Sequence, residues 1–199
     1  MNDYAIILQA GGKSTRMGTD KALVPFMGTT LIETIIDQVR PLEKDMALIS
    51  NSPSAFEPLG LPIFGDVIPG WGALGGLYSA IFHSSRDWCL VLACDMPFVD
   101  LDVIRYLAWQ TGEWDAVIPR ISEDGFTEPF RAFYNKRCLT PIRLAIEAGR
   151  RRVDSFFDSI RPRFVDRAEL EAFDPDLRTF FNVNTPEDLA EAERLARLR

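Results

Sequence analysis

The stretch WCLVLACDMPF, residues 88–98, limits the fold more than any other part of this chain. It begins as an unbroken apolar run with no polar alternation. A strand of that kind must be covered on both faces, as the interior strands of parallel sheets are. The run reaches Asp95, a carboxylate at the strand's C-terminal end, and Pro97 stiffens the turn that follows. YAIIL (residues 4–8) is short, apolar and partly β-branched, and reads as a second buried strand. MALIS (46–50) reads as a third and ends at Asn51.

Helical patterns alternate with these strands. TLIETIIDQVR (30–40) places Leu31, Ile32, Ile35, Ile36 and Val39 at helical spacing, and Thr30 with Glu33 forms a capping-box pattern. LPIFGDV (61–67) predicts a short strand. PGWGALGGL (69–77) predicts a glycine-rich turn leading into a helix over GLYSAIFHSS (76–85). DLDVIRYLAWQ (100–110) predicts a helix capped by Asp100. DAVIPR (115–120) and EPFRAFY (128–134) are strand candidates, with a polar loop, ISEDGFT, between them. CLTPIRLAIEAG (138–149) fits a helix stopped by Gly149. VDSFFDSI (153–160) predicts a short helix and RFVD (163–166) a late strand. TPEDLAEAERLARL (185–198) is a terminal helix with Thr185 as cap and Pro186 in its first turn. The alternation predicts an α/β fold with a mostly parallel sheet, as a single domain over residues 1–199.

Composition removes several function classes. The formal net charge is −7, which disfavours broad electrostatic binding to nucleic acid. No apolar run is long enough to span a membrane, and the opening MNDYAIILQAGG lacks the basic flank of a signal peptide; the expected location is cytoplasmic. Cys89, Cys94 and Cys138 show no CxxC spacing, so neither a disulfide framework nor a zinc site is expected, and the first two read as small core residues. His83 is the single histidine and reads as a surface residue near a helix end.

Against that acidic background, LQAGGKSTRMGTDKAL (8–23) gathers Lys13, Arg16 and Lys21 around Gly11 and Gly12. Adjacent glycines let backbone amides approach a ligand closely, and Ser14 and Thr15 add hydroxyl donors. Arg16 offers a bidentate fork and Lys21 a mobile point charge, the chemistry of a polyphosphate cradle. The spacing is neither GxxxxGK[ST] nor GxGxxG. Ligands of open α/β sheets bind beyond the C-terminal ends of the strands, and residues 10–21, Asn51, Asp66 and residues 95–97 all fall at such ends. A carboxylate at Asp95 suits Mg²⁺, which takes oxygen ligands and bridges phosphates. Asn182 and Asn184, just before the last helix, offer neutral oxygen ligands or serve the helix cap.

LQAGGKSTRMGTDKAL, GALGGL, ACDMPF and FNVNTPEDL occur in this order in the MobA-like nucleotidyltransferases, which the chain resembles from Tyr4 to about Leu189. Asp20-Lys21 with the late Asn-Thr-Pro-Glu-Asp is most similar to the guanylyl branch of that family. The resemblance implies a Rossmann-like three-layer α/β/α sandwich of the nucleotide-diphospho-sugar transferase type. It implies transfer of GMP from GTP to molybdopterin or Mo-molybdopterin, with Mg²⁺ as cofactor. Molybdoenzymes or other cofactor-biosynthesis proteins would then be partners. Residue by residue, it implies that Leu8, Gln9, Ala10, Gly11, Gly12 and Asn51 help to recognise guanine, that Arg16 and Lys21 engage phosphates, and that Asp66 lines the nucleotide pocket. Asp95 would bind Mg²⁺ and GTP, with Asn184 and Asn182 completing the metal or acceptor site.

The chain departs from the family at three points. Gln9 stands before Ala10 where the family reads Leu-Ala-Gly-Gly, a change that touches base recognition more than phosphate binding. Arg131 stands where a small or apolar residue is expected and reads either as a contact for an anionic acceptor or as a surface residue. Arg150, Arg151 and Arg152 read either as attraction for the phosphate of molybdopterin or as a solvated helix end. The alternatives are a related nucleotidyltransferase that uses CTP or another phosphorylated acceptor, a sugar-nucleotide glycosyltransferase, and a non-catalytic GTP-binding partner protein. CDMPF lacks the Asp-x-Asp of the glycosyltransferases.

Overall fold

The computed structural model describes residues 3–10 and 20–198. In chain order it contains β1 (Tyr4–Gln9), a hairpin of β2 (Pro25–Phe26) and β3 (Thr29–Thr30), α1 (Leu31–Val39), β4 (Met46–Ile49) and β5 (Ile63–Phe64). Next come α2 (Gly72–His83), β6 (Trp88–Ala93), α3 (Leu101–Trp109), β7 (Ala116–Arg120) and β8 (Arg131–Asn135). The chain ends with α4 (Leu139–Glu147), β9 (Pro162–Asp166), α5 (Arg167–Leu170) and α6 (Pro186–Ala196).

Seven strands form one sheet in the order β5-β4-β1-β6-β8-β7-β9. The pairs β4–β5, β1–β4, β1–β6 and β7–β9 are parallel, whereas β8 runs antiparallel to both β6 and β7. The chain builds outward from β1 to β5, then returns to place β6 on the other side of β1. The gap between the ends of β1 and β6 is therefore the topological switch point, where open α/β sheets bind ligands.

Strand alternation sorts the core into two faces. Tyr4, Ile6 and Leu8 of β1 join Ile32 and Ile35 of α1 and Val103, Ile104 and Leu107 of α3. Ala5 and Ile7 face the other way, onto Leu74, Leu77 and Ile81 of α2 and Ile142 and Ala145 of α4. This is the expected α/β/α sandwich. Among the described residues no helix is long and apolar enough to cross a membrane.

The expected caps form. Thr30 and Glu33 make a reciprocal capping box on α1, Thr185 and Asp188 do so on α6, and Asp100 caps α3. Such caps contribute about 0.5–2 kcal/mol each. Gly149 (φ 75°) ends α4 in a Schellman arrangement: Gly149 N donates to Ile146 O at 2.9 Å and Arg150 N to Ala145 O at 3.0 Å.

Four local expectations change. GALGG does not lie in a turn; it forms the first turns of α2, which begins at Gly72, because its small side chains let the helix sit close on the sheet. VDSFFDSI adopts 3-10 turns over Val153–Ser159 in place of an α-helix, with Phe156 and Phe157 pinned in the core. His83 is half-buried, stacked on Phe64 with ring centroids 4.4 Å apart, and burial holds its imidazole below the usual range. Arg131 is not on the surface: it is 0% exposed.

Candidate active site

A cleft of about 1110 Å³ opens at the switch point, lined by the C-terminal ends of β1, β4 and β6, the start of α2 and the segments before β8 and α6. Gln9, Ala10, Lys21, Asn51, Asp66, Asp95, Asn182 and Asn184 all line it. Leu8 does not; its side chain is buried in the core one residue below. Gly11, Gly12 and Arg16, together with Lys13, Ser14 and Thr15, lie outside the described residues.

The centre of the cleft is a three-way contact. Lys21 Nζ donates to Asp95 Oδ2 at 2.8 Å and to Asn184 Oδ1 at 2.9 Å. Each partner is placed by local structure. Asp20 caps the 3-10 turn Lys21–Leu23, accepting from Ala22 N at 3.1 Å, which sets the stem of Lys21. Asp95 follows β6 directly. Val183 N donates to Asp95 O at 2.7 Å, tying the segment before α6 to the β6 turn. Asn182 and Asn184 thus flank Asp95 although they lie almost at the other end of the sequence. A small core of Val24, Phe26, Leu31, Phe98, Val183 and Ala192 fastens the hairpin and α6 to that turn.

Asn51 and Asp66 form the second group. Asn51 Nδ2 donates to Asp66 Oδ2 at 2.8 Å, and Asp66 N donates to Asn51 Oδ1 at 2.9 Å. The pair closes the loops after β4 and β5 into one wall. Gln9 lies between the two groups. Its Nε2 is buried without a hydrogen-bond partner among the described residues, a free donor on the cleft floor.

On the opposite wall the sequence reading missed Glu128, which is 6% exposed and lines the cleft. Burial raises its carboxyl above the ordinary range, against the opposing pull of the Phe130 amide, the Arg131 charge and the Asn182 side chain. Arg131 donates from Nη2 to Met96 O at 2.7 Å, next to Asp95. Burial lowers its guanidinium to about 10, so it stays charged at neutral pH. The signal in the sequence was two charges within the otherwise apolar EPFRAFY. Phe126, 61% exposed, also lines this wall.

The basic run resolves into three different roles. Arg152 is taken by Asp154, and Arg150 donates to Ser155 O at 3.0 Å. Arg151 lies over Trp71 at 4.8 Å and donates to Gly70 O at 3.2 Å, at the rim of the cleft.

The oxygen donors suit a hard divalent cation. One ammonium nitrogen already touches both Asp95 Oδ2 and Asn184 Oδ1, so these two oxygens converge on a common point. Among the described residues no group of three His, Cys, Asp or Glu side chains gathers as a metal site, and the centre of the cleft offers the Asp95 carboxylate with asparagine oxygens.

A nucleotide-sized cleft at the switch point, with an ion pair and an amide oxygen at its centre, fits a phosphate-handling α/β transferase. The chain belongs to the MobA-like NTP transferase family, whose domain matches residues 5–162. It is 33% identical to the molybdenum cofactor guanylyltransferase of Syntrophotalea carbinolica, over 96% of this chain and 90% of that protein. The crystal structure of molybdopterin-guanine dinucleotide biosynthesis protein A from Archaeoglobus fulgidus matches with a TM-score of 0.84 and 27% identity, covering 98% of this chain and 100% of that one. The 2-C-methyl-D-erythritol 4-phosphate cytidylyltransferase of Thermus thermophilus matches with a TM-score of 0.72 at 16% identity, over 99% of this chain and 100% of that one, a likeness of fold alone.

Proposed function

We propose that this chain transfers GMP from GTP to molybdopterin, in the cytoplasm, releasing pyrophosphate and forming molybdopterin guanine dinucleotide. The observation that carries the reading is the convergence of Lys21, Asp95 and Asn184 at the switch point of a family whose named relatives are guanylyltransferases. The acceptor's terminal phosphate oxygen attacks the α-phosphorus of GTP. The bond from that phosphorus to the bridging oxygen breaks, and pyrophosphate leaves with the electron pair. A phosphate nucleophile is already anionic near neutral pH, so no general base is required. Positioning and charge stabilisation carry the chemistry.

The nucleotide base lies on the Asn51–Asp66 side, where Gln9 Nε2 offers a donor to a ring carbonyl. Lys21 leaves Asp95 to meet the phosphates, together with Arg16. The acceptor enters from the Glu128 side, where Phe126 and Arg151 supply a ring face and a cation. Asp95, Asn184 and Asn182 would hold Mg²⁺, which when bound neutralises charge on the transferring phosphoryl group.

Pyrophosphate release from GTP, CTP, ATP and UTP, with Mg²⁺ and with or without molybdopterin, tests the reading. Acceptor-dependent release confined to GTP is the expected result. Release from CTP would move the protein to a cytidylyl activity. Nucleotide binding with no release from any of the four would favour a non-catalytic binding role.

A further inference from the structure

Arg131 is the residue that neither the fold nor the proposed reaction accounts for. It sits in β8 opposite Leu92 of β6 and is 0% exposed. Arginine is almost never fully buried unless paired. Here one nitrogen bonds Met96 O at 2.7 Å, while Nε and Nη1 have no hydrogen-bond partner among the described residues. Nor does a carboxylate lie within ion-pair distance among those residues. Burial of this kind is costly, so its retention requires a reason beyond packing.

Two neighbours supply one. Met96 follows Asp95, so the charge-assisted bond to Met96 O fixes the turn that presents Asp95. Glu128, three residues before Arg131, is a buried carboxylate whose charge the guanidinium opposes across the cleft floor.

We propose that Arg131 is a buried positioning residue for the cation site: its guanidinium fixes the turn that bears Asp95. The inference rests on the reading of Asp95 and the two asparagines as the divalent-cation site. Partners that orient metal ligands in this way are worth roughly 10–100-fold in metal affinity.

Charge alone and positioning predict opposite signs at Arg131. Removing a nearby positive charge should strengthen cation binding; loosening the Asp95 turn should weaken it. Mn²⁺ binding to the GTP complex, followed by electron paramagnetic resonance, reads the sign directly. Arg131→Met is expected to weaken Mn²⁺ binding roughly 10–100-fold, and Arg131→Lys, which keeps one donor for Met96 O, to recover part of it. A folded Arg131→Met protein with wild-type or tighter Mn²⁺ affinity would overturn the proposal. Should circular dichroism show Arg131→Met unfolded, Arg131→Lys decides: it keeps the charge, so binding weaker than wild type supports positioning and wild-type binding overturns it. Asp95→Asn separates the two levels. If it too binds Mn²⁺ normally, the cation site itself is misassigned; if it alone fails, only the positioning role falls.

Discussion

Lys21 and Asp95, 74 positions apart in sequence, form an ion pair of 2.8 Å at the centre of the cleft, with the two side chains only 20% and 27% exposed. The lysine also bonds Asn184, so its ammonium spans the oxygens that suit a divalent cation. In the proposed reaction the lysine moves to the substrate phosphates before those oxygens serve a metal, and the ion pair then acts as a mask over the proposed cation site.

Lys21→Ala should therefore act in two opposite directions. Without nucleotide it frees Asp95 and Asn184, and Mn²⁺ should bind several-fold more tightly than to wild type. With GTP it removes a phosphate contact, and turnover should fall roughly 10²–10³-fold. Titration of apo protein with Mn²⁺ checks the first effect and pyrophosphate release the second. Unchanged apo affinity would show that the ion pair masks nothing.

Asp95→Ala should lower turnover by roughly 10²–10³-fold while leaving the fold intact, since the side-chain bond it removes is to Lys21 in the cleft. Circular dichroism and pyrophosphate release on the same preparation check both halves. Near-normal turnover in the folded variant would remove Asp95 from the mechanism.

Asn51 and Asp66 exchange two hydrogen bonds on the proposed nucleotide side of the cleft. Asn51→Ala removes both, each worth about 0.5–1.5 kcal/mol. The expected result is a rise of about tenfold in KM for GTP with little change in kcat, because the pair shapes the binding wall and lies away from the reacting phosphates. Steady-state kinetics distinguish this from an equal fall in kcat, which would place Asn51 in the chemistry.

The elements most readily read from the sequence were those whose side chains report their own burial. The apolar runs at β1 and β6, the helical spacing of α1 and the capping pairs at Thr30 and Thr185 specify local structure in local terms, and each formed as expected. Asp95 and Asn51 were legible as candidates because they stand at strand ends, and Asn182 and Asn184 because they precede the last helix. What was not legible depended on partners far away. GALGG reads as a turn by composition, yet close packing of α2 on the sheet overrides the low helix propensity of glycine. The antiparallel insertion of β8 beside β6 brings Glu128 and Arg131 to Asp95, and no local pattern announces it. The β2–β3 hairpin and the single turn of α5 are too short to leave a periodic signal.

The three cysteines are buried, and burial raises every thiol: Cys138 to about 12, Cys89 and Cys94 also well above the usual thiol range. A thiol-specific reagent at pH 8 should label none of them in the native protein and all three in denaturant. The same shifts set an alkaline limit. Above about pH 8.5 the unfolded chain releases protons that the folded chain keeps, so unfolding binds fewer protons and stability falls as pH rises. Denaturant midpoints should be flat up to that pH and decline beyond it, towards the folded value of about 12 for Cys138. A midpoint that rose between pH 9 and 10 would contradict the burial argument.

Gly75 and Gly76 are adjacent in α2 but carry different constraints. A methyl group at Gly75 would stand 2.8 Å from Trp71 Cβ and 3.0 Å from Ile68 O, and the backbone oxygen cannot swing aside. At Gly76 it would meet the end of Gln9, with Nε2 at 3.0 Å, a side chain able to turn. Alanine in a helix gains about 1 kcal/mol over glycine, which opposes the clash at both positions. Gly75→Ala should nevertheless destabilise by about 1–3 kcal/mol, lowering Tm by several degrees. Gly76→Ala should leave Tm near wild type. It displaces Gln9 into the cleft, and its effect should appear as a higher KM for GTP. Thermal unfolding and nucleotide kinetics on the two variants read these effects separately. The reverse order, with Gly76→Ala the less stable and Gly75→Ala the weaker binder, would mean that Gln9 is wedged rather than free at the floor of the cleft.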